Sequence, residues 1–242
     1  MGRPRIAPVS ADQSLLELLL HGDISSYQLN PTGSNYTFMV EVRLGDQTAK
    51  AIYKPREGEA PLWDFPRGTL YKREFAAYLL SKALGWDFIP QTVIREGRHG
   101  IGSVQLYVEH DPRQNYYTIT PAKPAELRTI ACFDLVANNT DRKAVHLLLA
   151  PDGKVWGIDH GLTFHADTKI RTVIWDFSGE PIPEPLLASL NQLSQQLLNP
   201  QGQLKELLGL LHPEEALALQ QRVNWVLREH VYPRVPGMRS RR

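Results

Sequence analysis

Residues 138–161 read NNTDRKAVHLLLAPDGKVWGIDHG, and the fold is decided on this stretch. Its first part is a polar loop, Asn138 to His146, between a helical segment and a short hairpin. The hairpin is expected over His146 to Leu149, the turn Pro151-Asp152-Gly153, and Val155 to Ile158. Loops held by rigid elements are where reactive groups concentrate. Asp141 is followed five residues later by His146, a metal-capable side chain expected at a strand start, so a base and a metal ligand can share one pocket. Asp159 leaves the apolar strand Gly157-Ile158 and is followed by His160-Gly161. A carboxylate at a strand end can bind Mg²⁺ shared with the phosphates of a nucleotide. A plain Asp-His-Gly turn is the other reading.

Upstream, the chain reads as strands with one well-formed helix. Ser10 is a plausible N-cap with Gln13 three residues on, and Leu15, Leu16, Leu18 and Leu19 give the opening helix a wide apolar face. Strand character follows over Ile24 to Leu29, Tyr36 to Leu44 and Gln47 to Lys54. The turn Thr32-Gly33-Ser34-Asn35-Tyr36 can aim backbone N–H groups at phosphate oxygens, or be an ordinary hairpin tip. Lys54 ends the apolar run Ala51-Ile52-Tyr53 and reads either as a phosphate contact or as a snorkelling edge lysine. After a Pro- and Gly-rich loop, Arg56 to Gly68, a helix is expected over Thr69 to Leu84, stopped by Gly85. Glu74 on that helix can face the sheet, while Arg73-Glu74 reads equally as a solvated pair. Two further strands are expected over Phe88 to Arg95 and Gly102 to Glu109, then a polar loop from Asp111 to Thr118.

Beyond residue 110 the pattern turns helical. Helices are expected over Pro124 to Ala137, Glu184 to Leu198, Leu204 to Leu211 and Glu214 to Val231. The change from β-rich to α-rich marks a lobe boundary. The 242 residues therefore read as one domain of two lobes, about 14–109 and about 110–235.

Composition narrows the function class. With 27 basic against 26 acidic residues, there is no whole-chain electrostatic reason to expect nucleic acid or membrane as a partner. The basic residues Arg3, Arg5, Arg239, Arg241 and Arg242 read as solvated tails. A single cysteine, Cys132, excludes an internal disulfide and sits in an apolar run as a small buried hydrophobe. No signal peptide and no uninterrupted apolar run of the ~18 residues a membrane span needs is present, so a cytoplasmic protein is expected.

The order of these pieces resembles the PI3/PI4-kinase-like catalytic superfamily, in particular a small bacterial branch, over roughly residues 14–235. The resemblance rests on Gly33-Ser34-Asn35-Tyr36, Ala51-Ile52-Tyr53-Lys54-Pro55, Glu74 within Arg73 to Tyr78, and Val104 to Val108. It also rests on Asn139-Thr140-Asp141-Arg142 and Ile158-Asp159-His160-Gly161-Leu162-Thr163-Phe164. It implies an α+β, two-lobed, protein-kinase-like fold, with a β-rich N-lobe carrying one helix, a small helical C-lobe, and ATP in the cleft between them. It further implies Gly33, Ser34 and Asn35 over the phosphates, Lys54 on the α/β phosphates, and Glu74 holding Lys54. A strand from Gln105 through Tyr107 and Val108 to Glu109 would bond adenine through its backbone. Asp141 would be the catalytic aspartate, with His146 and Asp159 as the metal positions. The superfamily has Asn where this chain has His146, and nitrogen suits Mn²⁺ better than Mg²⁺, so either ion is a candidate. His160 stands where many kinases have Phe.

The implied reaction moves the γ-phosphate of ATP to an unidentified hydroxyl of a protein, a lipid head group or a small molecule. Lys169 and Arg171 are candidate contacts for an anionic acceptor, or parts of a solvated loop. Three other readings stand beside it: a nucleotide-binding pseudokinase, an AMP transferase, and a metal hydrolase or oxygenase built on His146, Asp159, His160 and His165.

Overall fold

In the computed structural model, which describes residues 11–31 and 35–234, the chain divides into two compact units. One is formed by the chain up to Ala60 together with Gln91–Tyr107, the other by Pro61–Pro90 with Val108 onward.

The first unit is an antiparallel sheet with one helix, α1 (Ala11–His21). Its strands are β1 (Asp23–Asn30), β2 (Thr37–Leu44), β3 (Gln47–Pro55), β4 (Thr92–Gly97) and β5 (Gly100–Leu106), in the order β1-β2-β3-β5-β4. Period-two alternation sets which face is buried. Val40 and Val42 of β2, Ala51 and Tyr53 of β3, Val93 of β4 and Val104 of β5 pack with Leu18 and Leu19 of α1. The register makes this face continuous, with Val40 opposite Ala51, Tyr53 opposite Val104, and Val93 opposite Val104. Lys54 lies opposite Ser103 and therefore on the other face, with Ile52 and Gln105. Gly102 permits the close pairing there: a Cβ would lie 2.4 Å from the Lys54 carbonyl oxygen.

The second unit holds α2 (Leu70–Leu84), α3 (Tyr116–Ile119), α4 (Pro124–Ala137), α5 (Glu184–Leu197), α6 (Gly202–Leu210) and α7 (Pro213–Glu229). It also holds the hairpin β6 (Leu147–Leu149) and β7 (Val155–Gly157). α2 is buried on most of its circumference and ends at Gly85, whose φ of 67° closes the helix in the left-handed conformation. α5 and α7 bury stripes at helical spacing, Leu186-Leu187-Leu190-Leu193 and Leu219-Val223-Val226. Cys132 is fully buried in α4, and burial pushes its thiol pKa up.

Several expectations are corrected. Phe88 to Pro90 is not strand: the Phe88 carbonyl accepts from Gly157 N–H at 2.8 Å, and Pro90 has no N–H to give a ladder. β4 instead runs on to Gly97 and turns tightly through Arg98-His99 into β5. β5 ends at Leu106, so Tyr107, Val108 and Glu109 are not strand. The polar stretch before α4 contains α3, whose Asn115 side chain caps Tyr117 N–H at 3.0 Å while Thr118 Oγ1 accepts from Asn115 N–H. His146 ends a 3₁₀ turn, Ala144–His146, rather than starting a strand. The Ser10 cap and the basic tails lie outside the described residues. No helix among the described residues is long and apolar enough to cross a membrane.

Candidate active site

α4 ends at Asn138, whose φ of 51° turns the chain into the Asp141 loop. Asn138 Nδ2 donates to the carbonyls of His165 and Asp167 at 2.9 and 2.7 Å, and its Oδ1 accepts from Lys169 N–H at 2.9 Å. Asn139 Nδ2 donates to Asp134 at 3.0 Å, and its Oδ1 accepts from Asp141 N–H at 3.0 Å. Thr140 donates through both N–H and Oγ1 to Leu162 O. Arg142 forks onto Asp134 (closest approach 2.8 Å), donates to Ile158 O at 3.1 Å, and lies 2.8 Å from His160 Nε2. Thr172 Oγ1 also donates to Asp134, at 3.0 Å. The loop is thus pinned by buried Asn138, Asn139, Thr140 and Arg142, while Asp141 stays half-buried and Lys143 exposed. Those two pair at 2.7 Å.

His146 is brought to Asp159, with Nε2 3.2 Å from Oδ2. The imidazole is 7% exposed and the carboxylate 48%. Burial lowers the His146 pKa from 6.5 to about 4 against the opposing pull of Asp159, so the ring is neutral at pH 7. Lys143 N–H donates to Nδ1 at 3.3 Å. The ring proton therefore sits on Nε2 and faces Asp159. Asp159 and Phe164 both have positive φ, 61° and 62°, so a stretch of backbone in a costly conformation begins and ends here.

The solvated-pair reading of Arg73-Glu74 is overturned: both are buried, at 2% and 3% exposure. Glu74 Oε2 accepts from His160 N–H at 2.9 Å. Arg73 donates to Thr163 O at 2.7 Å and pairs with Glu215. The His160 ring is buried against Phe88 and Phe133. His165 receives Asp167 N–H on Nδ1 and lies 3.0 Å from Lys169 Nζ through Nε2. Lys169 in turn pairs with Asp64 at 3.3 Å. His146 and Asp159 meet, but His160 and His165 have partners elsewhere, and among the described residues no group of three or more His, Cys, Asp or Glu forms a metal cluster.

The nucleotide-binding candidates of the sheet unit are placed as follows. Gly33 and Ser34 lie outside the described residues. Asn35 Oδ1 accepts from Ala60 N–H at 2.7 Å. Lys54 is half-buried. Gln105 Nε2 donates to Thr92 Oγ1 at 2.9 Å, and Tyr107 N–H donates to Lys50 O at 3.0 Å. Val108 belongs to the helical unit, where it packs with Leu148, Ala150, Trp156 and Ile158. Asp134 has no place in the reading of the sequence, and Arg73 entered it only as half of a solvated pair. The only local signal for Asp134 is a lone carboxylate in the otherwise apolar run Ala131 to Ala137.

No family model matches the chain. Two structures of Golgi casein kinase, one with Mn and ADP bound, superpose with TM-scores of 0.60 and 0.59 at 15% and 14% identity. They cover 94% and 93% of this chain and 80% and 79% of theirs. The fold is α+β and kinase-like. Protein Rv2133c of Mycobacterium tuberculosis is 36% identical over 257 aligned positions, covering 92% of each chain. The chain belongs to the family of Protein Rv2133c.

Proposed function

We propose that the chain is a phosphotransferase of the PI3/PI4-kinase-like sort, using ATP with Mg²⁺ or Mn²⁺ and passing the γ-phosphate to a hydroxyl acceptor. The observation that carries this reading is the meeting of Asp159 and His146 at 3.2 Å, with Asp141 five residues before His146 on a tightly pinned loop. The kinase-like fold supports it, as does the Mn and ADP bound to one Golgi casein kinase structure.

The residues fit a divalent ion of this kind. Asp159 offers a half-exposed carboxylate oxygen and His146 a neutral imidazole, a donor set that suits Mn²⁺ and leaves positions for phosphate oxygens and water. The two side chains would hold the ion, which neutralises charge on the phosphates when bound. If His146 held the ion through Nε2, its proton would sit on Nδ1 and the bond from Lys143 N–H would be given up. Asp141 orients the acceptor hydroxyl and takes its proton at a carboxylate oxygen. Lys143 Nζ lies 2.7 Å from that carboxylate. Lys54 contacts the α/β phosphates. Glu74 fixes the backbone at His160, next to Asp159, through its 2.9 Å hydrogen bond. The apolar cluster of Val108, Leu148 and Ile158, adjoining Asp159 in sequence, suits the adenine face.

A second reading, nucleotide binding without transfer, is favoured by one observation: the ring proton of His146 points at Asp159. Incubation with γ-labelled ATP and Mn²⁺ separates the two. Label released or transferred by the wild type, and lost in Asp141→Asn with nucleotide binding retained, supports the phosphotransferase. Binding without either supports the second reading, and no binding contradicts both.

A further inference from the structure

Arg73 has no part in the chemistry proposed above, yet it is one of the largest fully buried side chains of the protein. A buried guanidinium is costly unless its donors are met, and a packing role alone is better served by Leu or Met. Here Nη1 donates to Thr163 O at 2.7 Å, Nη2 pairs with Glu215 Oε1, and the guanidinium lies over the Phe65 ring with 4.8 Å between its carbon and the centroid. Nε is buried without a hydrogen-bond partner among the described residues. Such an imperfectly satisfied cation calls for an explanation beyond packing.

The explanation lies in the segment it holds. Residues 160–163 are gripped at both ends by neighbouring residues of α2: Glu74 accepts from His160 N–H at 2.9 Å, and Arg73 donates to Thr163 O. Thr163 Oγ1 donates to His160 O at 2.7 Å and closes the segment on itself. On either side, Asp159 and Phe164 are held at φ of 61° and 62°. Such conformations persist only where surrounding contacts over-determine them. Glu215 backs the guanidinium and is itself fixed, its Oε2 accepting from His212 N–H at 2.9 Å at the start of α7. We propose that Arg73 is a positioning residue, a rigid fork between Glu215 and Thr163 O that keeps the Asp159 turn in the conformation that presents its carboxylate. The part concerning Asp159 as a metal ligand rests on the phosphotransferase reading; the clamp itself does not.

Two variants of the full chain test this. Arg73→Met/Glu215→Leu removes both charges and leaves neither unpaired, a replacement that buried pairs often tolerate. Arg73→Lys keeps the charge but reaches only one partner at a time. In both, amide exchange over residues 159–164 is expected to rise about 10-fold or more, since charge-assisted hydrogen bonds are lost. α5 and the sheet should keep wild-type protection. The gain in ATP affinity on adding Mn²⁺ should fall by about 10-fold, with affinity for ATP in EDTA unchanged and Arg73→Lys intermediate. Wild-type exchange over 159–164 in either folded variant overturns the proposal, as does acceleration spread evenly over the chain. A wild type with no Mn²⁺-dependent gain sinks the metal reading instead, and exchange still decides the clamp.

Discussion

Arg142 and Asp134 form an ion pair in which neither side chain is exposed, at a closest N–O distance of 2.8 Å. It joins the end of α4 to the loop that carries Asp141, and Thr172 and Asn139 complete the carboxylate's partners. Removing one member leaves an uncompensated buried charge. Asp134→Ala is therefore expected to lower unfolding stability by about 3–5 kcal/mol in urea titration. Asp134→Leu/Arg142→Met should lose less than the sum of the single changes. A single-variant loss under ~1 kcal/mol contradicts this account of the loop.

Lys143 and Asp141 form the opposite kind of pair, 59% and 36% exposed. Lys143→Met should change stability by less than ~1 kcal/mol. Loss of turnover with unchanged ATP affinity is expected for Asp141→Asn, by about 10²-fold or more if it serves as the base. Steady-state kinetics beside nucleotide titration check both, and a parallel loss of ATP affinity in Asp141→Asn counts against its assignment to the acceptor.

His146 makes the metal-free protein sensitive to acid. Its folded pKa is about 4 against 6.5 unfolded, so below pH 6.5 the unfolded state takes up a proton that the folded state refuses. Stability is full above pH 6.5 and falls as pH drops toward 4, by on the order of 3 kcal/mol across that window. His146→Asn should remove this component. Denaturant unfolding of both proteins at pH 7 and pH 4.5 checks it, and an equal pH dependence in the two is the contrary result.

Lys54 sits on the sheet face opposite the α1 core, half-buried between strand neighbours. Lys54→Met should leave the melting temperature of the free protein nearly unchanged and weaken ATP about 10- to 100-fold, the value of a charge-assisted contact to phosphate. Calorimetric titration measures it.

Elements with a strong local pattern were legible in the sequence. α4 spans Pro124–Ala137, with a proline in its first turn and apolar spacing behind it, and α2 begins within one residue of its expected start. The meeting of His146 with Asp159 follows from the short hairpin between them, which folds the two positions back on each other. What escaped depends on distant partners. Arg73 meets Glu215 142 residues away and Thr163 O 90 residues away, and such distant partners leave no local trace that it is buried. The strand expected from Gln105 to Glu109 stops at Leu106, with one further bond in register with β3, from Tyr107 N–H to Lys50 O. α3 was hidden because its cap, Asn115, lies in a stretch whose polarity reads as loop.

In the proposed reading, Asp159 anchors a metal-dependent nucleotide site. Thermal unfolding of the wild type and Asp159→Ala with ATP, alone and with Mg²⁺ or Mn²⁺, tests it most directly, because a ligand that binds only the folded state raises the melting temperature by mass action. A metal-dependent rise in the wild type, lost in Asp159→Ala while that variant still folds, is the expected result. No rise with any nucleotide and metal, or the same rise in Asp159→Ala, would contradict it.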